Sequence, residues 1–165
     1  MSEIKNISIS FREFHNQNEL GAEDQELIEA SVEAARSAYA PYSLFRVGAA
    51  IRLESGRIVR GANVENAAFP SGICAERTAL AAAITNYPDD RPVTLAISAI
   101  SVDGSPAEQL TPCGNCRQVI AEEESRWSRQ IRILLAGKNK IIELDGIGQL
   151  LPLQFNRSSL RPDRP

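Results

Sequence analysis

The sequence predicts an α/β sandwich on a sheet of mixed strand pairing, and three patterns carry that expectation. Ile28, Val32, Ala35 and Tyr39 recur at helical spacing. Val47, Ala49, Ile51 and Leu53 recur at strict period two, as in a strand with one buried face. Two further apolar runs, Val93–Val102 and Ile131–Ala136, alternate with stretches rich in helix formers. The order helix, hairpin, helix, strand, helix, strand needs antiparallel pairing in the hairpin and crossover connections beyond it.

Along the chain, Ile7, Ile9 and Phe11 alternate with Ser8, Ser10 and Arg12, which permits an edge strand or an ordered arm. A helix is expected from Ala22, with Glu23 and Asp24 in its first turn and Pro41 as its stop. Glu54-Ser55-Gly56-Arg57 forms a hairpin turn, and Ile58–Ala62 returns as the second strand. Pro70-Ser71-Gly72 breaks the chain before an Ala- and Leu-rich helix over Cys74–Thr85. Another helix is expected over Gly114–Glu124, and a short strand near Ile141–Leu144. Leu150-Leu151-Pro152-Leu153 closes the domain. The expected organisation is an arm over 1–22, one domain over 23–155 and a poorly ordered tail over 156–165.

Composition narrows the function. The chain is 43% hydrophobic and 24% charged, as expected of a globular protein with a core. Its net charge is −3, with no basic stripe, which argues against a nucleic-acid partner. No apolar run is long enough to span a bilayer, and no apolar segment of a signal peptide follows Met1-Ser2-Glu3-Ile4-Lys5. Three cysteines without an export signal point to reduced thiols in a cytoplasm.

Those cysteines carry the chemistry. Cys74 opens Cys74-Ala75-Glu76-Arg77, while Cys113 and Cys116 lie in Pro112-Cys113-Gly114-Asn115-Cys116. Each group stands at the start of an expected helix, where thiol pKa values fall. Three thiolates can hold a zinc ion and leave a fourth position for water, the arrangement of a catalytic metal. Glu76 would then move that water's protons. Other readings remain open: Cys74 as a buried small hydrophobe, or Cys113 and Cys116 as a redox pair or half of a structural zinc knuckle. A structural site lacks a fourth ligand, since the single histidine, His15, lies far off in the arm. Three thiolates leave zinc with a net negative charge, so Arg77 is a candidate to donate hydrogen bonds to the sulfurs, with Gln118 a weaker one. Either could equally be a solvated helix residue.

Four stretches in order resemble the small free-nucleoside cytidine deaminases. They are Ala38-Tyr39-Ala40-Pro41-Tyr42-Ser43-Leu44-Phe45-Arg46-Val47-Gly48-Ala49-Ala50, then Gly61-Ala62-Asn63-Val64-Glu65-Asn66-Ala67, then Cys74-Ala75-Glu76-Arg77-Thr78-Ala79, and Thr111-Pro112-Cys113-Gly114-Asn115-Cys116-Arg117-Gln118-Val119-Ile120. The Cys-x-Glu and Pro-Cys-x-x-Cys elements are those of the zinc nucleobase deaminases. The resemblance spans about Glu23 to Phe155 and implies a three-layer α-β-α sandwich with a mixed central sheet. It implies Cys74, Cys113 and Cys116 as ligands of one Zn²⁺ per chain, Glu76 as proton shuttle and Arg77 as the neutralising arginine. It places Asn63 and Glu65 at the ribose, with Phe45, Ala75 and Phe155 in the substrate-binding set. It further implies hydrolysis of cytidine and 2′-deoxycytidine in pyrimidine salvage, and a homotetramer, or failing that a dimer, whose subunits share sites. The arm and tail are longer than in compact members. Deamination of tRNA, polynucleotides or blasticidin S, and a zinc module without activity, are the competing readings. The first two conflict with the acidic charge balance, and Asn63-Val64-Glu65-Asn66 is not expected in the third.

Overall fold

The computed structural model describes residues 2–108 and 110–160. Helix α1, Ala22–Arg36, buries Leu27, Ile28, Ser31, Ala34 and Ala35 on one stripe, and its termini carry Glu23, Asp24 and Arg36 with the polarity the helix dipole favours. It ends five residues before Pro41. Ser37 caps it through its backbone amide and its hydroxyl, both directed at Ala34 O. The chain beyond is then drawn into a bridge in which Tyr39 N donates to Asn63 O and Glu65 N to Tyr39 O. Tyr39, expected on the buried stripe, is therefore exposed.

The hairpin forms as expected, with β2 at Arg46–Leu53 and β3 at Ile58–Ala62. Helix α2 covers Ala75–Asn86, strand β4 Pro92–Ile100 and helix α3 Gly114–Trp127. Strands β5, Arg132–Ala136, and β6, Ile141–Asp145, complete the body. The expected edge strand exists as β1, but at Arg12–Phe14, paired antiparallel with Ile141–Glu143 of β6. The Lys140–Glu13 ion pair at 2.8 Å ties the two together, while Ile7, Ile9 and Phe11 lie outside the strand and exposed. A short helix, α4, occupies Arg157–Leu160, within the expected loose tail; residues 161–165 lie outside the described residues.

The sheet order is β1-β6-β5-β4-β2-β3, antiparallel throughout except for the parallel pair β4–β5 joined by the α3 crossover. Alternate strand residues face alternate layers. Ala49, Ile51, Leu95, Ile97, Ile133 and Leu135 pack with Ala79 and Leu80 of α2 and Ile120 of α3. Ala50, Ala96 and Leu134 pack with Leu27 and Ile28 of α1 on the opposite face. The three-layer α-β-α sandwich with a mixed sheet is thus present.

Two glycines set the helix-to-sheet distances. A Cβ on Gly48 would lie 2.0 Å from Ser31 O of α1, and one on Gly61 2.3 Å from Ala79 N of α2. Only a residue without a side chain lets β2 and β3 approach the helices so closely. The contact at Gly61 also fixes where the first turn of α2 sits.

Candidate metal centre and substrate cavity

Cys74 is the N-cap of α2 and Cys113 the N-cap of α3, so both thiols stand among free backbone amides at positive helix ends. Cys116 follows one turn into α3 and is buried. The Cys74 and Cys113 sulfurs are 3.9 Å apart, those of Cys113 and Cys116 3.5 Å, and all three lie within 4.8 Å of one another. Ligands about 2.3 Å from a tetrahedral zinc lie about 3.8 Å from each other, so the sulfur spacing fits that ion.

The electrostatics of the cluster also call for a cation. Burial raises the Cys74 thiol, with neighbouring Cys113 and Glu76 adding to it. Burial, Glu76 and the other two cysteines raise Cys116 strongly. At Cys113 burial acts upward as well, but hydrogen bonds from the Cys116 amide and thiol and the Cys74 thiol outweigh it and bring the group down. Glu76, only 4% exposed in the first turn of α2, is likewise raised by burial. Several acids this close disfavour one another's charged forms, and a divalent cation reverses that preference. Arg77 is half-buried in the same turn; among the described residues it makes no hydrogen bond to the cysteine sulfurs.

A cavity of about 380 Å³ opens over these groups, lined by Cys74, Ala75, Glu76 and Cys113 on one side and Asn63 and Glu65 on the other. Glu65 is already oriented: its carboxylate accepts from Tyr42 N at 2.9 Å, Ser43 N at 3.2 Å and Ser43 Oγ at 2.5 Å. The Ser43 hydroxyl and the Tyr42 amide hold its pKa below the usual carboxylate value. Asn63 clamps the start of β2, accepting from Val47 N at 2.7 Å and donating to Phe45 O at 3.1 Å. Phe45 and Phe155 are not among the lining residues and both are exposed; Phe45 stands two residues before the lining residue Val47, whereas no lining residue is near Phe155 in sequence. Gln118 makes no hydrogen bond to the sulfurs among the described residues and donates to Phe155 O at 2.8 Å, tying the C-terminal segment to α3.

Some contributors carry no signal in the sequence alone. Phe69, 74% exposed, supplies the cavity's aromatic wall from a single 3₁₀ turn at Phe69–Ser71. Arg117 bridges Pro112 O and Leu150 O, each at 2.8 Å, and so braces the loop before Cys113 against the chain's end. Its place in Cys-Arg-Gln was visible, but only the fold shows what it spans. Leu150 and Leu151 pack on the core, whereas Leu153 is fully outside it.

Sulfur cluster, buried carboxylate and three-layer fold together define the class of zinc-binding deaminases. A model of the cytidine and deoxycytidylate deaminase zinc-binding region matches residues 22–129. A cytidine deaminase of Halalkalibacterium halodurans is 45% identical over 136 residues, 82% of this chain and 96% of that one. One of Sporosarcina psychrophila is 36% identical over 136 residues, 82% and 93% of the two chains. The crystal structure of cytidine deaminase from Burkholderia pseudomallei aligns with a TM-score of 0.68 at 35% identity, covering 79% of this chain and 97% of that chain. The chain belongs to the cytidine deaminase family of hydrolases. No helix of the described residues is long and apolar enough to cross a membrane.

Proposed function

We propose that this protein deaminates cytidine and 2′-deoxycytidine by hydrolysis, releasing ammonia and uridine or 2′-deoxyuridine, with one Zn²⁺ held by Cys74, Cys113 and Cys116. Its place would be pyrimidine salvage in a cytoplasm. The observation that carries the reading is a buried Glu76 lining one cavity with two of the three sulfurs and with a pre-oriented Glu65. When bound, zinc supplies the Lewis acidity that makes water a nucleophile near neutral pH. Arg77 would offset the negative charge of the sulfurs.

Glu76 accepts a proton from the attacking water and passes it to N3 of the pyrimidine as the C4–O bond forms. It then takes the hydroxyl proton and delivers it to the amino group, which leaves as ammonia while the C4 carbonyl forms. Two protons thus pass through one carboxylate. Burial suits Glu76 to this task, because it raises the carboxyl above the usual carboxylate range and so favours the protonated form that the side chain must take between the two transfers. Asn63 and Glu65 would hold the ribose hydroxyls, and Ala75 and Phe45 would position the base. Ser43 holds the Glu65 carboxylate ionised and aimed before substrate arrives.

Ammonia release from cytidine, cytosine, adenosine and blasticidin S tests this reading. Free cytosine lacks the hydroxyls assigned to Asn63 and Glu65, so its kcat/KM should fall at least ~10²-fold below that of cytidine, the loss of one charge-assisted hydrogen bond to Glu65 and one neutral hydrogen bond to Asn63. Glu65→Gln should narrow that gap. Cytosine turned over as efficiently as cytidine would refute a nucleoside site.

Exposed apolar groups, Tyr42, Leu44, Phe69, Leu153 and Phe155 among them, support association into a homotetramer, with a dimer as the smaller alternative. Phe155 would then serve a neighbouring site. Light scattering over a dilution series checks this, and an active monomer at every concentration would exclude shared sites.

A further inference from the structure

A second cavity, of about 370 Å³, lies on the α1 face of the sheet and shares no lining residue with the first. It sits where α1 crosses the carboxyl ends of β4 and β5, the one parallel pair. Carboxyl ends of parallel strands are where open α/β sheets collect ligands. Its floor is apolar, including Ile28 and Val32 of α1. Its lining carries Arg36, Lys138, Lys140 and His15 beside neutral amide and hydroxyl side chains, and no Asp or Glu. In a chain with 21 acidic and 18 basic residues, that segregation is not a matter of composition.

The four groups come from three elements, Arg36 from α1, Lys138 and Lys140 from the β5–β6 turn and His15 from the arm. Arg36 suits the C-terminal end of α1, a role that accounts for one cation and not for the convergence. Lys140 pairs with Glu13 at 2.8 Å and Lys138 with Glu108 at 3.5 Å, both acids standing outside the lining. Arg36 makes no ion pair among the described residues. His15 belongs to the segment before residue 22, where the deaminase family match begins, so the arm supplies one wall of the cavity.

We propose that this cavity binds a phosphate-bearing small molecule of mononucleotide size, its phosphate held by Arg36 and Lys138 and its apolar part against α1. The volume falls in the ~300–1,000 Å³ of small-molecule sites. Arg and Lys lining one cavity are the usual means of holding phosphate oxygens. The Ser98 hydroxyl in the lining is engaged by Ser31 and none of the three clustered cysteines reaches this cavity, so the site is assigned to binding and not to reaction.

Calorimetric titration of the zinc-loaded full chain with CMP, and separately with inorganic phosphate, tests the site. CMP should bind saturably at one site per chain, and the Arg36→Ala, Lys138→Ala double variant should weaken it at least ~10-fold. Arg36→Lys should recover part of the loss. Glu65→Gln should leave CMP binding unchanged, which separates this site from the nucleoside cavity, and the double variant should turn over cytidine normally without phosphate. Tighter binding of CMP than of phosphate supports a nucleotide, whereas equal affinities would overturn the mononucleotide assignment. No saturable CMP binding, or binding unaltered in the double variant, overturns the proposal.

Discussion

Glu76→Gln is expected to lower kcat for cytidine by at least the ~10²–10⁴ typical of general acid–base catalysis, with zinc content unchanged. The amide has the same shape as the carboxyl and fits the same buried pocket in the first turn of α2. It cannot accept and return a proton, and here both proton transfers pass through one side chain. The sulfur cluster does not depend on Glu76 for its spacing, since Cys74 and Cys113 are placed by the starts of two different helices. Metal analysis beside steady-state kinetics therefore separates chemistry from assembly. Turnover within a few-fold of the parent would exclude Glu76 as the shuttle.

Cys113→Ala is expected to lose both zinc and activity. Two sulfurs and water hold zinc far less tightly than three, and among the described residues no histidine or carboxylate joins the three cysteines in the cluster. The same sulfur also caps α3, accepting from Cys116 N at 3.5 Å, so the variant gives up a cap worth roughly 1 kcal/mol. That cost is small beside the fold's stability, and circular dichroism should report a folded chain. Zinc measured per chain after dialysis provides the check. A variant that retains one tightly held zinc and turns over cytidine would remove Cys113 from the ligand set.

The body of the fold was legible because its signals are local. Period two over Val47–Leu53, the turn at Glu54–Arg57 and the Ala-rich stretch after Cys74 each state their structure within a dozen residues. The misplacements come where a distant partner decides. Tyr39 continued the helical stripe in sequence, but Val64 recruits its backbone into a bridge and ends α1 early. The alternation at Ile7, Ile9 and Phe11 looked like the edge strand, yet β6 offers its pairing partners to Arg12–Phe14. The strand expected to reach Val102 stops at Ile100, where Ser101 turns back to Ser105.

The site divides in the same way. Three cysteines and Glu76 were legible because metal chemistry needs those residue types, and helix starts bring them together. What orients Glu65 was not: the Ser43 hydroxyl and two amides reach it across 22 and 23 residues of chain. Phe69 and Arg117 act through where the fold delivers them, and neither residue type declares a role in isolation.

The central claim is that three sulfurs hold the metal on which cytidine hydrolysis depends. Its most direct test is to strip the protein with a chelator, restore zinc in steps and follow uridine formation from cytidine. Activity should be near zero in the stripped chain, rise in proportion to zinc added, and level off at one zinc per chain. Full turnover of cytidine by a verified metal-free preparation would contradict the account.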